Sequence, residues 1–144
     1  MKSSFKIINH GTEDWSLAVK LREDILRKPL GSFFTEEELE DEKNHIHIIG
    51  MIASEIIASA VLVPQGAFLK MQRVVVSDHL RRKNIGSQMM AFCESQAKKK
   101  GFLIMYCHAR DSAVNFYLNN SYKREGEYFD EDGIPHLKMV KRIK

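Results

Sequence analysis

The densest chemistry in this sequence lies between residues 74 and 88. A β-branched run, Val74-Val75-Val76, gives way to a polar and basic turn, Arg81-Arg82-Lys83-Asn84-Ile85-Gly86, and then to a helical pattern. The first turn of a helix carries four unpaired N–H groups and about half a positive charge. An anion placed there meets several donors without needing a side chain. Arg81, Arg82 and Lys83 add charge around the same point, which suits a diphosphate. Gly86 lacks a Cβ, so the main chain can come close to a ligand. Asn84 is among the few non-glycine residues that accept a left-handed backbone angle at low cost. Taken alone, the turn reads more readily as a solvated basic loop capping a helix.

Other reactive side chains are scattered. Cys93 and Cys107 form no C-x-x-C pair and sit inside apolar stretches, as buried structural thiols do. His45 and His47 alternate with Ile46 and Ile48, which reads as the polar side of a strand. Arg22, Arg27 and Lys28 lie near the end of the first helical segment, where Arg22 reads as part of a solvated face beside Glu23 and Asp24. No His/Cys/Asp/Glu cluster has metal-ligand spacing, so no metal is expected.

The elements that must position these groups follow from pattern. Residues 5–8 read as a first strand, and Gly11-Thr12-Glu13-Asp14 supplies cap chemistry. Trp15, Ala18, Leu21 and Ile25 form an amphipathic stripe that Pro29 and Gly31 stop. Thr35 and Glu38 have the spacing of a capping box. Strands are expected over 45–49, 56–63 and 68–76. Ile85, Met89, Phe92, Cys93 and Ala97 share one helix face, closed by Lys98-Lys99-Lys100-Gly101. A strand over 103–107, a helix capped by Asp111 or Ser112, and strands over 122–129 and 136–140 around the turn 130–133 complete the chain. This order predicts an α+β or α/β-type three-layer domain over residues 1–144, with helices on both faces of the sheet.

Composition narrows the class further. The 144 residues are 44% apolar and 28% charged, as in ordinary globular proteins, and the net charge of +3 gives no broad basic surface. Nucleic acid is therefore not an expected partner. No apolar run approaches the ~20 residues of a membrane helix, and the start has no signal-peptide apolar region, so a cytoplasmic, membrane-free protein is expected.

Two motifs in order carry a resemblance. Arg81-Arg82-Lys83-Asn84-Ile85-Gly86 resembles the Arg/Gln-x-x-Gly-x-Gly/Ala motif of the GNAT superfamily of N-acetyltransferases, and Val74-Val75-Val76 resembles the strand leading into it. About 30 residues on, the segment from Ala113-Val114-Asn115-Phe116-Tyr117 to Ser121-Tyr122 resembles that superfamily's Ala-x-x-Phe-Tyr-x-x-x-Gly-Phe. The stretch from Leu21 to Gly31 and Asp132-Gly133-Ile134-Pro135-His136 are similar to the ElaA-like branch. Asn84 and Ser121 stand where the motifs have glycine, and Arg110 stands where many members have asparagine.

The resemblance implies a mixed, mostly antiparallel GNAT-like sheet whose strands splay at the cofactor site. It also implies a direct attack by an amine on acetyl-CoA. Cofactor contacts would come from Val74, Val75, Val76, Arg81, Arg82, Lys83, Asn84, Ile85, Gly86, Ser87 and Tyr117. Tyr117 would act as general acid toward the thiolate, a phenol of ordinary pKa about 10 facing a thiol of about 8.5. His136 or His108 would be the base, with a water relay as the alternative. Arg22 could bind a carboxylate of the amine substrate. That substrate is a small molecule or peptide, and a homodimer is the commonest assembly. The competing reading is an acyl-CoA-binding sensor without turnover.

Overall fold

The computed structural model describes residues 2–80 and 84–144. Seven strands form one sheet: β1 (Ser3–Ile8), β2 (Ile46–Ile52), β3 (Glu55–Gln65), β4 (Phe68–Val76), β5 (Ile104–Arg110), β6 (Lys123–Glu131) and β7 (Ile134–Arg142). Their order is β1-β2-β3-β4-β5-β7-β6, and every pairing is antiparallel except β4 with β5. Helices α1 (Glu13–Arg22) and α2 (Glu36–Asp41) precede β2. Helix α3 (Ile85–Lys99) links β4 to β5, and the short α4 (Val114–Asn119) follows β5. The expected mixed sheet with helices on both faces is what the chain forms.

Burial separates the two faces. Met105, Cys107 and Ala109 of β5 and Leu137 and Met139 of β7 join Met89, Met90, Cys93 and Tyr117 in the main core, on the α3 and α4 side. Side chains alternate along a strand, so Tyr106, His108, His136 and Lys138 belong to the opposite face. There Ala18, Val19, Phe34, Ile49 and Val61 are buried between β2–β4 and the α1–α2 layer. His47 is buried in that layer too, its Nε2 lying 2.8 Å from the Glu42 carbonyl. It is therefore not on an open polar side, and burial holds its pKa below the ordinary imidazole value.

Local chemistry explains the helix ends. Thr12 accepts from the Trp15 N–H at the start of α1, and Thr35 with Glu38 closes a full capping box on α2. The stripe read for α1 is displaced, however. Ala18, Val19 and Arg22 are the buried positions, while Leu21 is only partly covered. After Arg22 the backbone widens into a π turn over Glu23–Arg27 and then tightens into a 3₁₀ turn, Lys28–Leu30. A π turn needs more residues per turn than an α-helix, so the face presented downstream rotates. Gly31, with φ of 73°, ends the segment as expected of glycine.

Candidate active site

Strand β4 bends where its pairing with β3 slips. Val61 faces Gln72 and Ser59 faces Val75, so β4 carries one residue more than β3 between these rungs. Arg73 sits in this bulge with φ of +54°. A left-handed backbone costs a non-glycine residue about 1–2 kcal/mol. Two acids hold the Arg73 side chain: its Nε donates to Glu42 at 3.2 Å, and its Nη2 lies 3.7 Å from Glu38. A bulge bends the strand that carries it and ends regular pairing.

The consequence is a fork. β4 and β5 pair only from Phe68↔Ile104 to Met71↔Cys107, and beyond that rung they part. The Ser77 N–H donates to the Ile57 carbonyl at 2.8 Å, so Ser77 turns its main-chain groups toward β3. By strand alternation Val75 does the same, whereas Val74 and Val76 aim theirs into the fork. Val75 is also buried at 3% exposure, so its expected contact with the cofactor has no free group to make it.

Helix α3 opens at the wide end of the fork. Asn84 takes the left-handed conformation at φ 64°, as its residue type suggests, and no described side chain caps the helix. The first closing bond is the Gln88 N–H to the Asn84 carbonyl at 3.1 Å. The preceding amides of Ile85, Gly86 and Ser87 belong to the set that an α-helix leaves without internal partners. A Cβ on Gly86 would lie 3.0 Å from Cε1 of Phe116 and 3.8 Å from Cγ2 of Val76, so glycine lets α3 close on α4 and β4. Arg81, Arg82 and Lys83 lie outside the described residues.

Tyr117 marks the crotch of the fork from the core side. Its hydroxyl meets the thiol of Cys107, the last β5 residue paired with β4. Burial pushes the phenol well above its usual pKa, and the neighbouring thiol adds to the shift. Burial likewise pushes Cys107 and Cys93 up to about 12, so both thiols stay protonated and unreactive. Ser121 adopts φ of 71° where the motif has glycine, and the Tyr122 N–H closes onto the Tyr117 carbonyl at 3.0 Å. The serine keeps the turn and leads into β6.

On the opposite face, one residue beyond Cys107, stands His108. Its Nδ1 lies 3.2 Å from Oε1 of Glu131, and Oε2 of the same carboxylate lies 3.4 Å from Nε2 of His136. Glu131 is the residue that the sequence reading missed. The sequence suggests a four-residue turn over 130–133, but Asp132 and Gly133 alone make the turn, with φ of 56° and 76°, and Glu131 ends β6 opposite Ile134. The Asp-Gly pair, a strong two-residue hairpin signal, was the clue available.

Arg22 is corrected outright. It is 1% exposed, neither solvated nor open to a ligand, and its Nη1 donates to Glu42 at 2.9 Å. Its Nε and Nη2 are buried without a partner among the described residues, and burial lowers its pKa. Arg110, for its part, donates to the Leu26 carbonyl at 3.4 Å and ties the end of β5 to the segment after α1. Among the described residues no group of three His, Cys, Asp or Glu is arranged to hold a metal, and no helix is long and apolar enough to cross a membrane.

Comparison with known proteins adds independent information. The acetyltransferase (GNAT) domain family matches residues 21–143. YyaT of Bacillus subtilis (strain 168) is 31% identical over 78 residues, 54% of this chain and 53% of YyaT. ElaA of Escherichia coli (strain K12) is 30% identical over 104 residues, 67% of this chain and 66% of ElaA. These alignments thus span about half and just under two thirds of the two relatives. The crystal structure of Escherichia coli ElaA superposes over 98% of this chain and 100% of that one, with a TM-score of 0.83 at 20% identity. An aminoglycoside 6'-N-acetyltransferase solved in complex with coenzyme A superposes over 98% of this chain and 97% of that one, with a TM-score of 0.83 at 15% identity. Matched by the family over residues 21–143 and sharing its fold along almost the whole length, this chain belongs to the GNAT acetyltransferase family.

Proposed function

We propose that the protein transfers an acetyl group from acetyl-CoA to a primary amine of a small molecule or peptide, within one ternary complex and one domain. The observation that carries this reading is the parting of β4 from β5 beyond Met71 and Cys107, beside a helix whose first turn no described side chain caps. The amides of Ile85, Gly86 and Ser87 would receive the diphosphate, with charge supplied by Arg81, Arg82 and Lys83. The main-chain groups of Val74 and Val76 would bond the amide-rich pantetheine arm, and one N–H there would face the developing oxyanion. Loss of such a donor typically costs about 10²–10³ in rate.

The two faces of the fork suit the two proton transfers. Tyr117, on the core side, would give its proton to the departing thiolate. The imidazole pair lies on the other face, from which an amine would approach. A group attacking from one face and a group leaving on the other fit displacement at a thioester threaded between the strands. Mixing the purified protein with acetyl-CoA and a panel of primary amines, and following thiol release and thermal stabilisation, tests this reading. Stabilisation by acetyl-CoA with amine-dependent thiol release supports it. Stabilisation without release for any amine favours the sensor reading, and no stabilisation removes both.

A further inference from the structure

The geometry points to Glu131 as a positioning residue that selects His108 over His136 as the base. This inference rests on the acetyl-transfer reading for its chemistry, and on the described contacts for its geometry.

The two histidines are held differently. His136 is 5% exposed, and its Nδ1 lies 2.8 Å from the Ile134 carbonyl. A carbonyl oxygen only accepts, so Nδ1 of His136 carries a proton whether or not the ring is charged. Its Nε2 faces Oε2 of Glu131 at 3.4 Å rather than the cleft, and a carboxylate only accepts, so that nitrogen is engaged as a donor too. His136 thus has no free basic nitrogen to offer an amine.

His108 is arranged the other way round. Its Nδ1 approaches Oε1 of Glu131 at 3.2 Å, and a carboxylate likewise only accepts. The neutral ring therefore holds its proton on Nδ1 and leaves the Nε2 lone pair unprotonated. The ring is 28% exposed and packed edge-on against Phe129 with centroids 5.0 Å apart. Tyr106 lies on its other side at 6.0 Å, beneath the ammonium of Lys138, 4.8 Å from the Tyr106 ring centre. A carboxylate that fixes one imidazole nitrogen so that the other can take a proton is the arrangement of acid–histidine catalytic pairs. The tight Asp132-Gly133 turn, anchored by the rung Glu131↔Ile134, sets where Glu131 can reach. The proton balance is simple. As the amine nitrogen bonds to the acetyl carbon, its proton passes to Nε2 of His108 and the imidazolium that results is stabilised by Glu131; the carbon–sulfur bond then breaks, and the thiolate of coenzyme A leaves with a proton from Tyr117.

Nitrogen-15 NMR of the histidine rings in this protein tests the inference without any substrate. Spectra are recorded about two pH units above the ordinary imidazole value of ~6.5. The expected result is a proton on Nδ1 at both His108 and His136. In Glu131→Ala, His108 moves toward the Nε2–H form that free imidazole side chains prefer in water, while His136 stays Nδ1–H because Ile134 still holds it. His136 thereby reports that the variant is folded. An Nε2–H form at His108 in the unaltered protein overturns the inference with no variant needed. An unmoved His108 in Glu131→Ala overturns it as well. With an amine substrate in hand, His108→Ala lowers kcat by about 10²-fold, Glu131→Ala by roughly 10-fold, and neither changes KM for acetyl-CoA. A loss confined to KM contradicts the role. Absence of acetyl-CoA binding would instead overturn the acetyl-transfer reading, so the two failures are distinguishable.

Discussion

Replacing Glu42 by alanine is expected to destabilise the protein by about 3–5 kcal/mol, the usual cost of stranding a buried charge. Glu42 is 2% exposed and serves two arginines at once, Nη1 of Arg22 at 2.9 Å and Nε of Arg73 at 3.2 Å. Removing its carboxylate leaves the guanidinium of Arg22, itself 1% exposed, without its only hydrogen-bond acceptor among the described residues. It also removes the closer of two acids that hold Arg73 in its left-handed bulge. Arg22→Met should be far milder, below about 2 kcal/mol. An apolar chain of similar length fills the space, Glu42 keeps Arg73, and the desolvation of two unpaired guanidinium nitrogens disappears. Urea unfolding of both variants decides the matter, with midpoints shifted and slopes unchanged. A loss of less than about 1 kcal/mol for Glu42→Ala, or an equal loss for Arg22→Met, would refute the reasoning.

Tyr117→Phe should leave acetyl-CoA binding near normal and lower kcat by about 10²-fold; unchanged turnover, measured by thiol release, would remove the phenol from the mechanism. Glu38 is bonded through both oxygens to Arg27, at 3.1 and 2.6 Å, and these bonds hold its carboxyl at about 2. A carboxylate whose pKa is depressed by folding stabilises above its unfolded value and loses that contribution as pH falls through the folded value. The stability gap between the unaltered protein and Glu38→Gln should therefore narrow from about pH 5 to about pH 2 in acid titrations of unfolding. A constant gap would contradict the assignment.

Some of this molecule could be read directly from residue types. The capping box at Thr35 and Glu38, the left-handed turn at Asn84 and the glycine ends at Gly31 and Gly101 depend on local chemistry, and local chemistry is written in the sequence. So is the order of strands and helices along the chain. What escaped reading depends on contacts distant in sequence. The bulge at Arg73 arises from a register slip against β3 and is held by acids more than 30 residues away. Arg22 reads as solvated because the charged Glu23 and Asp24 follow it, yet α2 brings Glu42 over it and the π turn rotates the remainder of that segment. His47 alternated as a polar strand residue would, but the α1–α2 layer buries it. At the candidate site the diphosphate end was legible as a strand–turn–helix junction. The Glu131 bridge was not, because it joins the ends of β5, β6 and β7 across a hairpin.

The most direct measurement is a crystal structure of this protein grown with coenzyme A. The expected density places the two linked phosphates against the amides of Ile85, Gly86 and Ser87, with the pantetheine arm running along Val74 and Val76 and the sulfur near Tyr117. Coenzyme A bound elsewhere, or those three amides already bonded to the protein's own groups, would contradict the account.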